Sequence, residues 1–225
     1  MKTRIAIATV CLALALPVTA QKKEDERLAE SANVLKLVLA GDLPVTMLDK
    51  ADCVLVFPNV KKVAIGIGAS YGRGALVCRK GADMNGAWGA PAMYMLDQGS
   101  LGVQLGSTST DFVLVIMNKK GTEQVLNGKT KLGSDAAAAA GPTGAQASSY
   151  NADAMNVDVL TYSRTKGLFA GVSLTGATLD TDNDANKAVY GKVISAKQIV
   201  SGDSPIVPGA KPLVDLLNKT SPSRK

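Results

Sequence analysis

The 225-residue chain contains no histidine. That removes the commonest general acid–base group, the commonest metal ligand and the usual base of a Ser or Cys triad. Most hydrolase and zinc-site readings fail on this ground, while lysine- or carboxylate-based chemistry stays open. Aromatic residues make up only 4% of the chain, which leaves little to stack on nucleic-acid bases. The three cysteines, Cys11, Cys53 and Cys78, include no Cys-x-x-Cys pair, so neither a redox motif nor a zinc cluster is suggested. No apolar run reaches the ~20 residues that a membrane-spanning helix needs. No pair of carboxylates is singled out for acid–base work. An enzyme is therefore not expected, nor a cofactor, nor a metal.

What is present begins with an address. Residues 1–20 read MKTRIAIATVCLALALPVTA. Lys2 and Arg4 form a basic start, Ile5 to Leu16 an apolar core, and Val18-Thr-Ala20 a small-residue cleavage site. This is the pattern of a secretory signal peptide cleaved after Ala20. Gln21, not Cys, follows the site, so a lipid anchor is not expected. The chain is expected to be periplasmic or exported, peripheral to a membrane at most. In such an oxidising compartment Cys53 and Cys78 are either bridged or two buried thiols acting as small hydrophobes. The spacing leaves both open.

The apolar pattern gives an α+β domain. Leu28, Ala32, Leu35 and Leu39 recur at helical spacing and share one face of a helix over 22–40. A short helix follows from Pro44 to Lys50. The runs 53–57, 63–69, 75–79, 93–96, 101–106, 112–117, 157–163 and 168–176 are then short, apolar or alternating, and separated by turn residues. This spacing predicts antiparallel strands. Glycines inside them (Gly66, Gly68, Gly102, Gly106 and Gly171) point to bulges and curvature. The expected architecture is a strongly curved antiparallel sheet or small barrel with the N-terminal helices packed on it. Residues 21–202 form one domain, and 203–225 read as a Pro-rich tail with a short helix opening at Pro212. Glu123 to Lys131 suggests a hairpin turn at Asn127-Gly128 if both flanks are strands. The alanine run after Ser134 reads as a short buried helical turn or a surface loop, stopped by Gly141-Pro142.

Two motifs fail on inspection. Gly66 to Gly74 resembles a dinucleotide loop, but Tyr71 stands where the third glycine belongs and a strand follows instead of a helix. Asp180-Thr-Asp182-Asn-Asp184 has calcium-loop spacing, but Ala185 and Gly191 occupy the positions of the required Gly and Glu.

Charge is unevenly spread. The formal net charge is +6, and two of those charges are Lys2 and Arg4, which leaves +4 after cleavage. Residues 58–82 hold Lys61, Lys62, Arg73, Arg79 and Lys80 and no acid. Gathered on one surface, they would suit anionic phospholipid head groups, helped by Lys22, Lys23 and Arg27. The competing reading is an ordinary charged surface guarding hairpin edges. The helix over 22–36 balances four bases against four acids, so packing on the sheet is its expected role rather than lying on a membrane.

The strings ADCVLVFPNVKK (51–62), GIGASYGRG (66–74), WGAPAMYML (88–96), GSLGVQLGSTSTDFVLVIMN (99–118), LGSDAAAAAGPTG (132–144) and YSRTKGLFAGVSLTGATL (162–179), followed by Asn186 and Tyr190, together resemble the SYLF domain family over roughly residues 25–202. The resemblance implies phosphoinositide and membrane binding in eukaryotic members, through basic residues and an N-terminal amphipathic helix, and actin binding in some. For exported bacterial members it implies phospholipid binding or a role at the cell envelope. The near-neutral helix and the signal peptide restrict what carries over to lipid association as a class. The expected partner is therefore an anionic phospholipid or membrane surface. An envelope protein bound at a sheet edge or helix face is the alternative, and nucleic acid is not expected. The oligomeric state is not legible.

Overall fold

A computed structural model describes residues 15–65, 67–101, 106–142, 157–165, 168–171 and 174–224. Helix α1 (Ala15–Gly41) and the short α2 (Val45–Lys50) lead into four strands, β1 (Cys53–Ile65), β2 (Ile67–Cys78), β3 (Ala92–Leu101) and β4 (Gly106–Ile116). Helix α3 (Lys119–Leu126), β5 (Thr130–Lys131), β6 (Ala138–Ala140), β7 (Val159–Thr165), β8 (Leu168–Gly171) and β9 (Thr178–Thr181) follow. The chain closes with α4 (Asn183–Tyr190), α5 (Ala196–Ser201), a 3-10 turn (Pro208–Ala210) and α6 (Lys211–Thr220).

The strands form one curled sheet in the order β5-β9-β3-β2-β1-β4-β7-β6, with β8 also paired to β7. The expected α+β class and curved sheet are thus present. Every described pairing is antiparallel except β6 with β7, which is parallel.

Both faces of the sheet are covered, which explains why its central strands read as unbroken apolar runs. On one face Val54, Val56, Ala75, Val77, Met93, Val113, Val115 and Leu160 meet α1, α4 and α6. On the other, Leu55, Phe57, Leu76, Tyr94, Leu114 and Ile116 meet Val125 of α3 and Ile199 of α5. The alternation slips once in β1. Asn59 takes a left-handed φ of 53°, and the register shifts between Phe57 and Val60. Phe57 and Val60 consequently lie in the same core, as one extra residue in a bulge requires. Gly74 sits opposite this bend. A Cβ there would lie 2.0 Å from the Val56 carbonyl oxygen, so only glycine fits.

The stripe expected on α1 is buried at Leu28, Ala32 and Leu35, with Val38 taking the inner position and Leu39 only partly covered. Three expectations are corrected. Glu123 to Leu126 ends a helix rather than a strand, because Asn118 caps α3 by accepting from Gly121 N–H at 2.8 Å. Asn127-Gly128 therefore closes a helix, with Gly128 at φ 113°, and no hairpin forms. Part of the alanine run is neither helix nor loop: Ala138–Ala140 is a strand beside β7. Residues 203–224 are no loose tail. The helix expected at Pro212 exists as α6, and it sinks Leu213, Val214 and Leu217 into the core against α1. The described residues end at Arg224, whose guanidinium bonds the Asp49 carbonyl. Expected strand residues 66, 102–105, 172 and 173 lie outside the described residues, as does the alanine-rich stretch from 143 to 149.

Candidate functional site

The β1–β2 register decides whether the five basic residues of 58–82 converge. Cys53 pairs with Cys78, and Lys61 pairs with Tyr71. Eight residues of strand separate Cys53 from Lys61, about 25 Å at ~3.3 Å per residue. Arg79 and Lys80 follow Cys78 at one end of the sheet, while Lys61 and Lys62 lie toward the other. The five do not form one patch.

Arg79 does not reach the surface at all; it is 1% exposed. Its Nε donates to the Ala51 carbonyl at 3.1 Å. Nη1 donates to the carbonyls of Pro222 (2.8 Å) and Gly86 (3.4 Å). Nη2 donates to the Ser221 carbonyl (3.2 Å) and hydroxyl (2.5 Å). The guanidinium stacks 4.4 Å from the Trp88 ring centre. Burial, and then Arg224 nearby, push its pKa down from the ordinary arginine value. The expectation that Arg79 meets lipid is thus corrected: it is a clamp that holds the C-terminal segment. Around it Trp88 Nε1 donates to Ser221 O (2.8 Å) and Ser221 Oγ donates to Asp49 (2.6 Å). Lys80 is only partly exposed at the same end.

Arg73 and Arg27 do come together, across the gap between β2 and α1. Arg73 Nε donates to the Tyr71 hydroxyl at 2.5 Å and lies 3.3 Å from Asp182 Oδ2. The Tyr71 bond raises its pKa most, and the attraction of Asp182 adds to this. Arg27 pairs with the buried Glu24 one turn earlier on α1. Burial lowers the Arg27 pKa, and repulsion from Arg73 lowers it further. Two guanidiniums are thus balanced by two carboxylates, and the group ties α1 to β2 and to the start of α4. Asp182, from the acidic triplet, also caps α4 by accepting from Ala185 N–H at 3.1 Å. No group of candidate metal ligands occurs among the described residues.

Lys61 remains exposed, and so does Tyr71 directly across from it at 44% exposure. Asp97 faces Tyr71 from β3 and is also exposed. It stands two strand spacings from Lys61, about 10 Å. Lys62 is half-buried opposite Ser70, and Lys22 and Lys23 are exposed on the first part of α1. Of eight expected basic contacts, Lys22, Lys23 and Lys61 are exposed, Lys62 and Lys80 are partly exposed, two arginines are engaged in ion pairs and one is buried.

Cys53 and Cys78, left open above, are bridged, with an S–S distance of 2.06 Å. Gly68-Ala-Ser70-Tyr-Gly72 fits the Gly-x-Ser-x-Gly spacing of a nucleophile elbow. It lies within β2, paired on both sides to β1 and β3, so the required strand-to-helix turn is missing. Several structural residues carried no local signal. Asn186 accepts from the Met93 N–H at 2.8 Å and donates to its carbonyl at 3.2 Å, which pins α4 to β3. Tyr190 donates to the Pro91 carbonyl at 2.6 Å. Asn59, at the bulge, accepts from Ser109, and its N–H donates to Asp111 at 2.9 Å.

Residues 97–220 match a family described as Ysc84, Las17-binding protein actin regulator. That stretch covers α4 with Asn186 and Tyr190, and α6 with the core it completes. The chain belongs to the Ysc84, or SYLF-domain, family. It is 35% identical over 167 residues to an SH3 domain-containing protein of Schizosaccharomyces pombe, covering 73% of this chain and 38% of that protein. Protein YSC84 of Saccharomyces cerevisiae is 31% identical over 166 residues, 72% of this chain and 35% of its own length. The human SH3 domain-containing YSC84-like protein 1 is 29% identical over 177 residues, 78% of this chain and 51% of its own. The chain thus spans between about a third and a half of these relatives. Ysc84 family members are named as binding and regulator proteins rather than as enzymes.

Proposed function

We propose that this Ysc84-family chain is a non-enzymatic, exported envelope module that binds anionic phospholipid through the Lys61 end of its sheet. The observation behind this reading is the exposed Lys61 set directly across from the exposed Tyr71. A lysine supplies charge to the phosphate layer, and a tyrosine is amphipathic enough to sit at that depth. Lys62 flanks the pair, and Lys22 and Lys23 add charge from α1. Export rests on the signal-peptide pattern, and the Cys53–Cys78 bridge suits an oxidising compartment. Cleavage after Ala20 would keep Glu24, Arg27, Leu28 and Leu35, the α1 residues that pair with or pack on the rest.

Co-sedimentation tests the reading. The chain binds phosphatidylglycerol–phosphatidylcholine vesicles at 50 mM salt, weakens as salt rises, and ignores pure phosphatidylcholine. Asp97→Asn strengthens the binding by removing the nearest acid on that face. Absence of any vesicle binding at low salt would sink the proposal.

A second reading has its own support. Relatives are named LAS seventeen-binding protein 3, so a protein partner is the natural alternative for this domain. It would be favoured by a stoichiometric complex that forms at high salt without vesicles.

A further inference from the structure

The chain has two Asn-Gly pairs, Asn85-Gly86 and Asn127-Gly128, and both asparagines are exposed. Such a pair can cyclise when the glycine nitrogen attacks the asparagine side-chain carbonyl carbon, and glycine has no Cβ to block the approach. In a folded chain the peptide plane between the two residues must first swing out of place. What holds that plane differs at the two sites. At Asn85 both of its polar groups are tied. The Gly86 N–H donates to the Lys80 carbonyl, and the Asn85 carbonyl accepts from the Arg224 N–H, each at 2.8 Å. Gly86 is also packed, since a Cβ there would lie 2.6 Å from the Lys80 carbonyl oxygen. Its carbonyl receives Arg79 Nη1 at 3.4 Å, so this turn belongs to the clamp on the C-terminal segment. At Asn127 the plane is loose. The Asn127 N–H still bonds the Glu123 and Gln124 carbonyls at 3.0 and 3.3 Å, which ends α3. Beyond it, the Gly128 N–H has no acceptor and the Asn127 carbonyl no donor among the described residues. A Cβ built on Gly128 would meet nothing within 4 Å. The Thr130 hydroxyl reaches back to the Gln124 carbonyl at 2.7 Å and to the Gly128 carbonyl at 3.2 Å, and leaves the plane itself free.

We propose that Asn127 is a spontaneous deamidation site of the folded protein, and that Asn85 is protected by its turn. Solvent base takes the Gly128 amide proton, and the nitrogen adds to Asn127 Cγ. The Cγ–Nδ2 bond breaks, the nitrogen takes a proton from water, and ammonia leaves a five-membered succinimide. Water then opens the ring at either carbonyl, which gives aspartate or isoaspartate. Nothing is oxidised or reduced, and water is the only co-reactant. Either product puts a carboxylate at the C-terminal end of α3, where the helix dipole disfavours it. The isoaspartate product also adds a methylene to the main chain just before β5.

The test incubates the native full chain at mildly alkaline pH and maps its tryptic peptides over time. Peptide 121–129 carries Asn127, and peptide 81–119 carries Asn85. Mass spectra should show peptide 121–129 gaining one mass unit, placed at residue 127 by fragmentation, with aspartate and isoaspartate forms separated by chromatography. Asn85 should react about tenfold or more slowly, because two hydrogen bonds must open first. In concentrated urea with the disulfide reduced, neither turn persists and the two rates should converge. An unreactive Asn127 in the native chain, or equal native rates at the two sites, would overturn the proposal. So would a native rate ratio that stays unchanged in urea, since flanking sequence and not the fold would then set the difference.

Discussion

Arg79 carries its charge into the interior because five oxygen atoms from three separate parts of the chain meet it there. None of those partners is within six residues of it, so the sequence around Arg79 reads only as a basic strand end. Arg79→Met removes the donor and leaves buried carbonyls of Ala51 and Ser221 without it. A loss of about 3 kcal/mol or more is expected, read as a lower urea midpoint at unchanged slope. Arg79→Lys does not restore it, because an ammonium cannot span the fork that reaches both Ala51 and Pro222. Asp158 gives a second test at this scale. Burial would raise its pKa, but bonds from the Ala137 N–H at 2.8 Å and the Lys120 ammonium at 3.0 Å outweigh that and hold it below the ordinary carboxylate value. A depressed folded-state pKa stabilises the fold above the unfolded value near 4, and that stabilisation is lost as pH falls through the folded value. Asp158→Asn should therefore show a flatter fall in urea midpoint between pH 5 and pH 2 than the parent chain. An equal slope in the two proteins would contradict the assignment.

Elements were legible where apolar periodicity was strong. The first helix, the short second helix and the cores of the long strands appear in the sequence because both sheet faces demand apolar residues. Other short elements were not, since tertiary contacts set them. Ala138–Ala140 has helical propensity, yet it pairs in parallel with β7, whose edge needs a partner there. Asn127-Gly128 signals a hairpin only when strands flank it, and the cap at Asn118 makes the preceding run helical instead. The proline-rich composition near the C-terminus hid the burial of α6, although Leu213, Val214 and Leu217 have helix spacing. Leu217→Ala should cost about 2–5 kcal/mol by leaving a cavity between α6 and α1, measured by thermal or urea unfolding. The disulfide joins the outer ends of β1 and β2 across a 25-residue separation. Closing a loop of that length restricts the unfolded chain by about 3.5 kcal/mol. Reduction, or the Cys53→Ala, Cys78→Ala pair, should lower the unfolding midpoint accordingly without changing the far-ultraviolet spectrum of the native state.

Across the whole molecule, position along the sheet matters more than the charge total. Reading 58–82 as one basic patch required those residues to be near each other in space, and sequence proximity did not provide that. A hairpin folds the segment back, so residues at its two ends in sequence pair near Cys53 and Cys78 or near the turn according to register alone. The split puts Lys80 about 25 Å from Lys61 along the strands, some three Debye lengths at physiological salt. A membrane meeting the Lys61 end leaves Lys80 in bulk solvent. Neutralising a lysine at the membrane surface costs roughly 1 kcal/mol, about fivefold in partitioning. Lys61→Ala should therefore weaken binding to phosphatidylglycerol-containing vesicles about fivefold at 150 mM salt, while Lys80→Ala should change it by less than about twofold. Equal losses in the two variants would mean that the bilayer answers to net charge and not to one end of the sheet. A larger loss at Lys80 would move the contact to the disulfide end, where the C-terminal segment and the Arg79 clamp lie.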